Sequence, residues 1–195
     1  MKLFELNGCV REQLGKKAAK ALRAENLIPC ELYGQGKNIH FTVKEGDLRK
    51  LIYTPDVFVI DLTVGEHKCK AIIQESQFHP ISDRVIHMDF LEIDEQKPIV
   101  MQVPVRLEGL AAGVKAGGKL SLDMRKIKVK ALWNVIPERL IVNVEDLQLG
   151  KAIQIKNLQF EGMELLNNPA SVVCCVKLTR GARGAQASEE EAAAE

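Results

Sequence analysis

Four cationic side chains lie close together near the start of the chain, in a stretch that is predicted to form a short helix. They are Lys16, Lys17, Lys20 and Arg23. At about 100° per residue, Lys16, Lys20 and Arg23 fall within a narrow arc, with Ala19 beside them. The opposite arc is apolar and consists of Ala18, Ala21 and Leu22. One chemistry open to such a face is the binding of anions, above all the phosphates of a polynucleotide.

The position of these cations in the helix argues for a binding surface. Lys16 and Lys17 occupy the first turn, where exposed positive charge typically costs about 0.3 to 1 kcal/mol against the helix dipole. Within the predicted helix, no carboxylate is placed at four-residue spacing to neutralise Lys16 and Lys20. An RNA or DNA backbone would supply the missing negative charge. The alternative interpretation is the solvated face of an ordinary surface helix, which accounts for most helices with a charged side.

Two further patterns are weaker candidates for chemistry. The stretch from Gly113 to Lys119 matches a phosphate-binding loop until Leu120 stands where that motif needs Ser or Thr for magnesium. Strand-like sequence follows instead of a helix, which favours a structural Gly-rich loop. His87 and Asp89 form half of a metal or acid–base site, but no third ligand and no nucleophile lies at a useful spacing. From the residues alone, a surface or hydrogen-bonded histidine is favoured over a binding role for His87.

Short strands separated by turn residues predict how these side chains are positioned. In the front half we expect two short helices, Lys16 to Glu25 and Glu45 to Leu51, among strands. The expected strands are Leu3 to Val10, Ile39 to Val43, Val57 to Val64, Lys68 to Gln74 and Arg84 to Ile93. In the last of these, the two-residue repeat places Ile86, Met88 and Phe90 on one face and His87 and Asp89 on the other.

The back half is predicted to be almost entirely strand. A polar, proline-containing stretch, residues 94–98, marks the expected boundary. The expected strands beyond it are Ile99 to Leu107, Lys126 to Leu132, Arg139 to Val144, Ala152 to Ile155 and Ser171 to Leu178. From Thr179 the composition turns to Gly, Ala, Gln and Glu, which predicts a disordered acidic tail.

Charge and cysteine content limit the classes of protein. The formal net charge of the 195 residues is only +1, yet residues 1–24 hold six basic against two acidic side chains, a local charge of +4. Residues 94–187 carry +5 (14 basic, nine acidic) and residues 188–195 carry −4. The five cysteines are an odd number without a C-x-x-C pair, so neither a disulfide framework nor a zinc site is indicated. No apolar run is long enough to span a membrane, which predicts a cytoplasmic protein with reduced thiols.

Several segments in order resemble bacterial large-subunit ribosomal protein twenty-five, in its long two-domain form called the general stress protein Ctc. The first segments are Val10 to Glu12, Gly15 to Arg23, Ile28-Pro29 and Leu32 to Gly34. Further segments are Gln77 to Pro80, His87 to Ile93, Val103 to Val105 and the Gly-rich loop Gly113 to Gly118. The resemblance covers about 180 residues in the family's order, although none of its pieces is decisive alone.

This resemblance implies an N-terminal β-barrel that binds 5S ribosomal RNA and a C-terminal β domain on the ribosome surface. It also implies the residues of the RNA site: Arg11, Lys16, Lys20, Arg23, Tyr33, Gln77, His79, His87 and Asp89. For His87, the resemblance therefore implies a role in RNA binding, whereas the residues alone favour an ordinary surface or hydrogen-bonded histidine. Two positions depart from the pattern, since Ala19 replaces a hydroxyl residue of some members and Glu31 puts a carboxylate where an apolar residue is commoner.

We therefore expect a mainly β protein with short helices that is not an enzyme. Its predicted parts are an RNA-binding barrel (1–93), a second β domain (94–179) and an acidic tail (180–195). The expected partners are 5S rRNA, the large ribosomal subunit and neighbouring ribosomal proteins, with no cofactor, metal, membrane or small-molecule substrate. The alternative hypothesis is a stress-related protein-interaction module whose second domain binds a partner without direct RNA binding.

Overall fold

The structure, a computed structural model, describes residues 2–179 of the chain. The predicted acidic tail, 180–195, lies outside the described residues. Within residues 2–179, two compact units are distinguished, one of residues 2–101 with Leu132–Glu138 and the other of residues 102–131 with 139–179. The division into domains at residues 93 and 94 stays a prediction.

The first unit contains most of the predicted strands and both predicted helices. Its elements in chain order are β1 (Lys2–Val10), α1 (Lys16–Ala24), β2 (Leu27–Gly34), β3 (Lys37–Lys44), α2 (Glu45–Ile52), β4 (Phe58–Val64), β5 (His67–Phe78) and β6 (Val85–Glu92). The six strands form a closed barrel in the order β1-β3-β2-β6-β5-β4. Closure is completed by parallel pairing of β1 with β4, which leaves no unpaired sheet edge.

The barrel interior is apolar because alternate residues of every strand point inward. Phe41 of β3 and Phe90 of β6 are fully buried, with ring centroids 5.5 Å apart. Leu48 and Leu51 of α2 join the same cluster. The residues between these inward positions face outward, so the barrel presents the outer side chains of β2, β6 and β5 on adjacent strands.

The structure differs from the prediction in which side chains of β6 point into the barrel. Met88 and Phe90 are buried as predicted, but Ile86 is only partly buried and Val85 takes an inward position instead. The cause is an irregularity in register, because Gln77 pairs with His87 whereas the next residue, Phe78, pairs with Val85. Ile86 is thus an extra residue in β6, and a simple two-residue repeat cannot anticipate such a bulge.

The second unit is built from short strands in two small sheets. Its remaining elements are β7 (Ile99–Glu108), α3 (Ala112–Lys115), β8 (Lys119–Leu122), β9 (Lys126–Ala131), β10 (Leu140–Asn143), β11 (Ala152–Gln154), a 3-10 helix (Ile155–Asn157), β12 (Glu164–Leu165) and β13 (Val172–Lys177). The strand orders are β10-β7-β9-β12 and β11-β13-β8. A mainly β fold with an N-terminal barrel and a further β domain is therefore confirmed.

The Gly-rich stretch that resembles a phosphate-binding loop has a structural role. The amide of Gly113 in α3 donates to Leu147 O at 2.8 Å, and that of Gly118 donates to Gly113 O at 2.9 Å. These amides are therefore used within the fold. A Cβ at Gly113 would lie 2.5 Å from the backbone nitrogen of Leu149, so glycine permits a close approach between backbone segments.

Replacing Gly113 with alanine is expected to destabilise the protein by about 1 to 3 kcal/mol, the typical cost of overpacking. Backbone atoms cannot move aside as a flexible side chain can, so the second unit must distort. Thermal unfolding followed by circular dichroism measures the change. Gly46→Ala is the matched control, because a Cβ at this exposed helical position meets nothing within 4 Å. Equal unfolding temperatures for both variants would contradict the prediction.

Candidate nucleic-acid interface

Helix α1 presents the predicted cationic residues with little compensation. It begins after Gly15, which has a φ of 107°, without a side-chain cap and without an acidic residue in its first turn. Lys16 and Lys20 are exposed, and within residues 2–179 neither forms an ion pair. The free amides of the first helical turn and these ammonium groups therefore add to one positive potential.

The opposite side of α1 faces the segment that follows β1, and the helix packs against β2. Ala18, Ala21 and Leu22 line a cavity shared with the segment from Val10 to Gln13. None of the side chains of α1 is fully buried, so the helix rests on the barrel surface. The predicted division into a cationic and an apolar face matches this placement.

Arg23 has a contact that the sequence did not indicate. Its Nε donates to the backbone oxygen of Ile86 at 3.0 Å, at the bulge in β6. A bulged residue leaves the regular strand ladder, and here its carbonyl accepts the arginine. Arg23 thus joins α1 to β6, in addition to any contact that its guanidinium makes with a ligand.

Replacing Arg23 with alanine is expected to increase amide hydrogen exchange in α1 several-fold. A hydrogen bond to a charged group contributes about 1.5 to 3 kcal/mol, and its loss allows the helix to open locally more often. Hydrogen exchange followed by mass spectrometry measures this opening. Arg49→Ala in α2, where the arginine is exposed, serves as the control. Unchanged protection of α1 would show that the contact with Ile86 does not anchor the helix.

The strand register brings four predicted residues to the outer face of the barrel. Gln77 of β5 lies directly opposite His87 of β6. Asp89 follows His87 on the same face, and Tyr33 of the neighbouring strand β2 lies opposite Leu91, two residues beyond Asp89. These side chains come from three adjacent strands, so the pairing of β2 with β6 and of β6 with β5 brings them together.

His79 lies just beyond β5 and is held by a tight turn. Its Nδ1 accepts from the backbone amides of Ile81 at 3.4 Å and Ser82 at 3.3 Å. Its own backbone amide donates to Arg84 O at 2.8 Å. Because Nδ1 is an acceptor here, the neutral ring carries its proton on Nε2. His79 therefore has one fixed donor to offer to a ligand.

Asp89 is the least satisfied polar group of this face. Its Oδ1 lies 2.8 Å from Nδ1 of His87, but the pair lacks the geometry of a hydrogen bond. Within the described residues this oxygen is buried and has no hydrogen-bond donor. A buried acceptor without a donor costs about 1 to 3 kcal/mol, so the free protein retains an unfavourable group here.

Two more carboxylates flank Asp89 on the same row of the barrel. Glu31 of β2 and Glu75 of β5 are its cross-strand neighbours. Burial, and then the charges of Asp89, Glu75 and Glu31, raise the pKa of Tyr33 above its usual value of 10. The centre of the face is therefore negative and repels phosphate, whereas amino groups are suitable partners for it.

The remaining predicted residue, Arg11, lies on another side of α1. Its Nε donates to Gln13 O at 2.7 Å and its backbone amide donates to His40 O at 2.9 Å. It lines the cavity beneath α1, whereas Arg23 and His79 line a separate groove of about 270 Å³. The structure thus divides the predicted residues between two surfaces. The α1 surface contains Lys16, Lys20 and Arg23, with Arg11 beside it. The β-face, formed by the outer side of β2, β6 and β5, contains Tyr33, Gln77, His79, His87 and Asp89.

Sequence analysis missed Arg84, which lies in that groove. Its Nη2 donates to Asn26 Oδ1 at 2.6 Å and to Glu45 Oε2 at 2.7 Å. Arg84 therefore links the end of α1 to the start of α2 and positions the loop after β5. The partners are 58 and 39 residues away, and no local spacing indicates such a pairing.

Comparison with known proteins identifies the family. Residues 6–90 match the Ribosomal L25p family, and residues 98–180 match the C-terminal domain of ribosomal protein TL5. The protein named large ribosomal subunit protein bL25 of Porphyromonas gingivalis is 56% identical over 192 residues, covering 97% of this chain and 100% of that protein. The chain belongs to the ribosomal L25p family. The predicted resemblance is thereby confirmed, in its long two-domain form.

Other members of the L25p family agree over nearly their whole length. The bL25 proteins of Phocaeicola vulgatus and Bacteroides thetaiotaomicron are 53% and 54% identical, and each comparison covers 96% of this chain and 98% of the relative. Family membership marks the chain as a structural ribosomal protein and not an enzyme, as predicted. Among residues 2–179, we find no helix with the length and apolar character needed to cross a membrane.

Proposed function

We propose that the chain binds 5S rRNA in the large ribosomal subunit, through α1 and the outer face of β2, β6 and β5. The relatives carry the name of a large-subunit protein, which supports this setting and a ribosome-associated, cytoplasmic location. The site that we propose contains Arg11, Lys16, Lys20, Arg23, Tyr33, Gln77, His79, His87 and Asp89.

The two surfaces are suited to different parts of an RNA. Lys16 and Lys20 meet phosphates, because their ammonium groups and the helix N-terminus are positive and exposed. Each neutralised phosphate releases counterions, which gives affinity without sequence preference. The β-face carries fixed donors and acceptors, which read base edges instead.

The observation that carries the proposal is the buried Oδ1 of Asp89, which accepts no hydrogen bond within the described residues although it lies 2.8 Å from Nδ1 of His87. A carboxylate in this position excludes phosphate but accepts from the exocyclic amino group of guanine, cytosine or adenine. A regular A-form helix hides its major-groove edges from side chains, whereas an internal loop or a distorted groove exposes them. The geometry therefore favours an irregular structured RNA over a uniform duplex.

Glu31, which departs from the family's pattern, is part of this negative row. It pairs with Asp89 on one side and with His40 on the other. Its carboxylate adds to the repulsion of phosphate at the centre of the β-face. RNA phosphates are therefore directed toward the positive charge of α1. The negative β-face is left to contact the bases.

Titration of labelled 5S rRNA with the full chain over a salt series tests the proposed function. A transfer RNA of similar charge is the control, since it offers equal phosphate density with a different fold. We expect tighter binding to 5S rRNA by tenfold or more, a preference that persists as salt weakens both complexes. Equal affinity for the two RNAs would contradict the proposal.

Sucrose-gradient fractionation distinguishes the proposal from the alternative of a protein-interaction module. If the chain binds 5S rRNA, it is expected to migrate with large subunits and to be released from them as the salt concentration rises. The interaction module predicts no salt-sensitive association with that fraction.

A further inference from the structure

A second cluster of polar side chains lies inside the barrel wall, away from the proposed RNA face. His67 and Cys69 are two residues apart on β5 and therefore share one face. Ala71, two residues further, is fully buried in the barrel core, and Cys69 packs against that core. Glu92 of β6 is the register partner of Ala71. The three polar side chains thus lie at one end of the barrel, next to the apolar core.

The donor atoms of this cluster are close enough to share one metal ion. The imidazole nitrogen of His67, Sγ of Cys69 and a carboxylate oxygen of Glu92 all lie within 4.8 Å of one another. Nε2 of His67 is 3.7 Å from Oε1 of Glu92. Zinc bond lengths in tetrahedral geometry require donor separations of about 3.4 to 3.6 Å. Small side-chain rotations therefore complete the arrangement.

The backbone holds Glu92 in place for this role. Gly34, at a φ of 147°, packs so closely that an added Cβ would lie 2.7 Å from Cβ of Glu92. The next residue, Ile93, donates its amide to Lys70 O at 2.8 Å. The side chain of Glu92 is only 12% exposed. A largely buried carboxylate on a rigid strand end is a preorganised ligand.

We propose that His67, Cys69 and Glu92 form a binding site for a borderline transition-metal ion, of which Zn²⁺ is the representative. Sulfur, nitrogen and oxygen donors together select zinc-like ions over Mg²⁺ and Ca²⁺, which prefer oxygen alone. Three protein ligands leave a fourth position for water.

Metal binding forms a Zn–S bond and releases the thiol proton to solvent. Lys68 and Lys70 alternate with the ligands along β5, and both line the same open groove as Cys69 and Glu92. The ammonium of Lys70 lies over the ring of Trp133, 4.6 Å from its centroid.

The consequence for the barrel is a link between β5 and β6 at their shared end. Such a link stabilises the native state, because the site does not exist in the unfolded chain. The site lies on the inner side of β6, whereas His87 and Asp89 lie on the outer side. Its presence or absence is therefore independent of RNA binding, and the two proposals fail separately.

Titration of the full chain with Co²⁺, under reducing conditions, tests the proposed site. Cobalt replaces zinc in such sites, and a thiolate ligand gives a charge-transfer absorption band. We expect a band that saturates at one ion per chain and disappears when Zn²⁺ is added. Cys69→Ser removes the band, and Glu92→Gln weakens Co²⁺ binding by about tenfold or more.

Cys175→Ser is the matched control, since this thiol also lies beside a carboxylate, with Sγ donating to Asp123 at 3.5 Å. The band is expected to persist in this variant. If Cys69→Ser does not fold, zinc protection of Cys69 from alkylation in the natural chain replaces it as the measurement. A band that survives in Cys69→Ser, the absence of any saturable band, or alkylation of Cys69 at the same rate with and without zinc would overturn the proposal.

Discussion

Replacing both Lys16 and Lys20 with alanine is expected to weaken 5S rRNA binding by about tenfold or more. The slope of log affinity against log salt is also expected to become shallower by about 1.4 to 1.8, since each lost phosphate contact contributes about 0.7 to 0.9. Fluorescence titration over a salt series gives both quantities. The physical reason is the uncompensated charge of α1, where no capping side chain and no acidic residue of the first turn competes with the RNA.

Protein stability separates this effect from unfolding. Removing Lys16 from the first turn relieves repulsion by the helix dipole, about 0.3 to 1 kcal/mol for an exposed charge. The unfolding temperature of the double variant is therefore expected to be unchanged or higher. The charge-matched control is Lys126→Ala with Lys128→Ala, two exposed lysines of β9. If this control reduces the salt slope as much as the α1 variant, the phosphate surface has been assigned to the wrong unit.

Replacing Asp89 with alanine is expected to lower 5S rRNA affinity by 10- to 100-fold while leaving the salt slope unchanged. Loss of a base-edge hydrogen bond costs about 1 to 3 kcal/mol, but Asp89 contacts no phosphate. The same change is expected to raise the unfolding temperature. It removes a buried oxygen that lacks a donor, and it relieves cross-strand repulsion with Glu31 and Glu75.

Glu75→Ala is the matched control for this prediction. It removes an exposed carboxylate from the same row, next to Asp89, without removing the unpartnered oxygen. Its 5S rRNA affinity is expected to be equal to, or slightly above, that of the natural chain, because a negative charge near the RNA is lost. Equal weakening by both substitutions would mean that Asp89 acts only through the charge of the row.

These two predictions divide the proposed interface into an affinity surface and a selectivity surface. Lysines on a helix change the dependence on salt, and a carboxylate on a sheet changes the preference for one RNA over another. The opposite signs expected for Asp89, weaker binding with higher stability, are typical of a functional group that the fold alone does not require.

Local patterns were sufficient for the cationic helix and for most of the strands, but they missed β2 (Leu27–Gly34), which contains a proline and directly follows α1. Helix α1 was predicted to within one residue, because helix-forming residues run from Lys16 and are followed by Asn26, which adopts a φ of 59°. The alternation of strands and turn residues predicted a mainly β fold. The short strands Lys119–Leu122 and Glu164–Leu165 were not assigned, since two to four residues carry too little periodicity.

Local patterns could not reveal contacts between distant elements. The resemblance implied a role for His87 and Asp89, but the chemistry of the residues alone favoured an ordinary surface histidine. The bond from Arg23 to Ile86 depends on a bulge, and the links of Arg84 depend on loops brought together by barrel closure. Such contacts have no signature in spacing along the chain.

The amino-acid sequence by itself determined where the charges lie, which segments form helices or strands, and which family the chain resembles, because these depend on neighbouring residues. The tertiary structure decided which strands are adjacent and which oxygen of Asp89 lacks a donor. It also decided that His67, Cys69 and Glu92 meet at one end of the barrel. The physical reason is that strand pairing and register place residues far apart in the chain within bonding distance, and only the closed barrel sets that register.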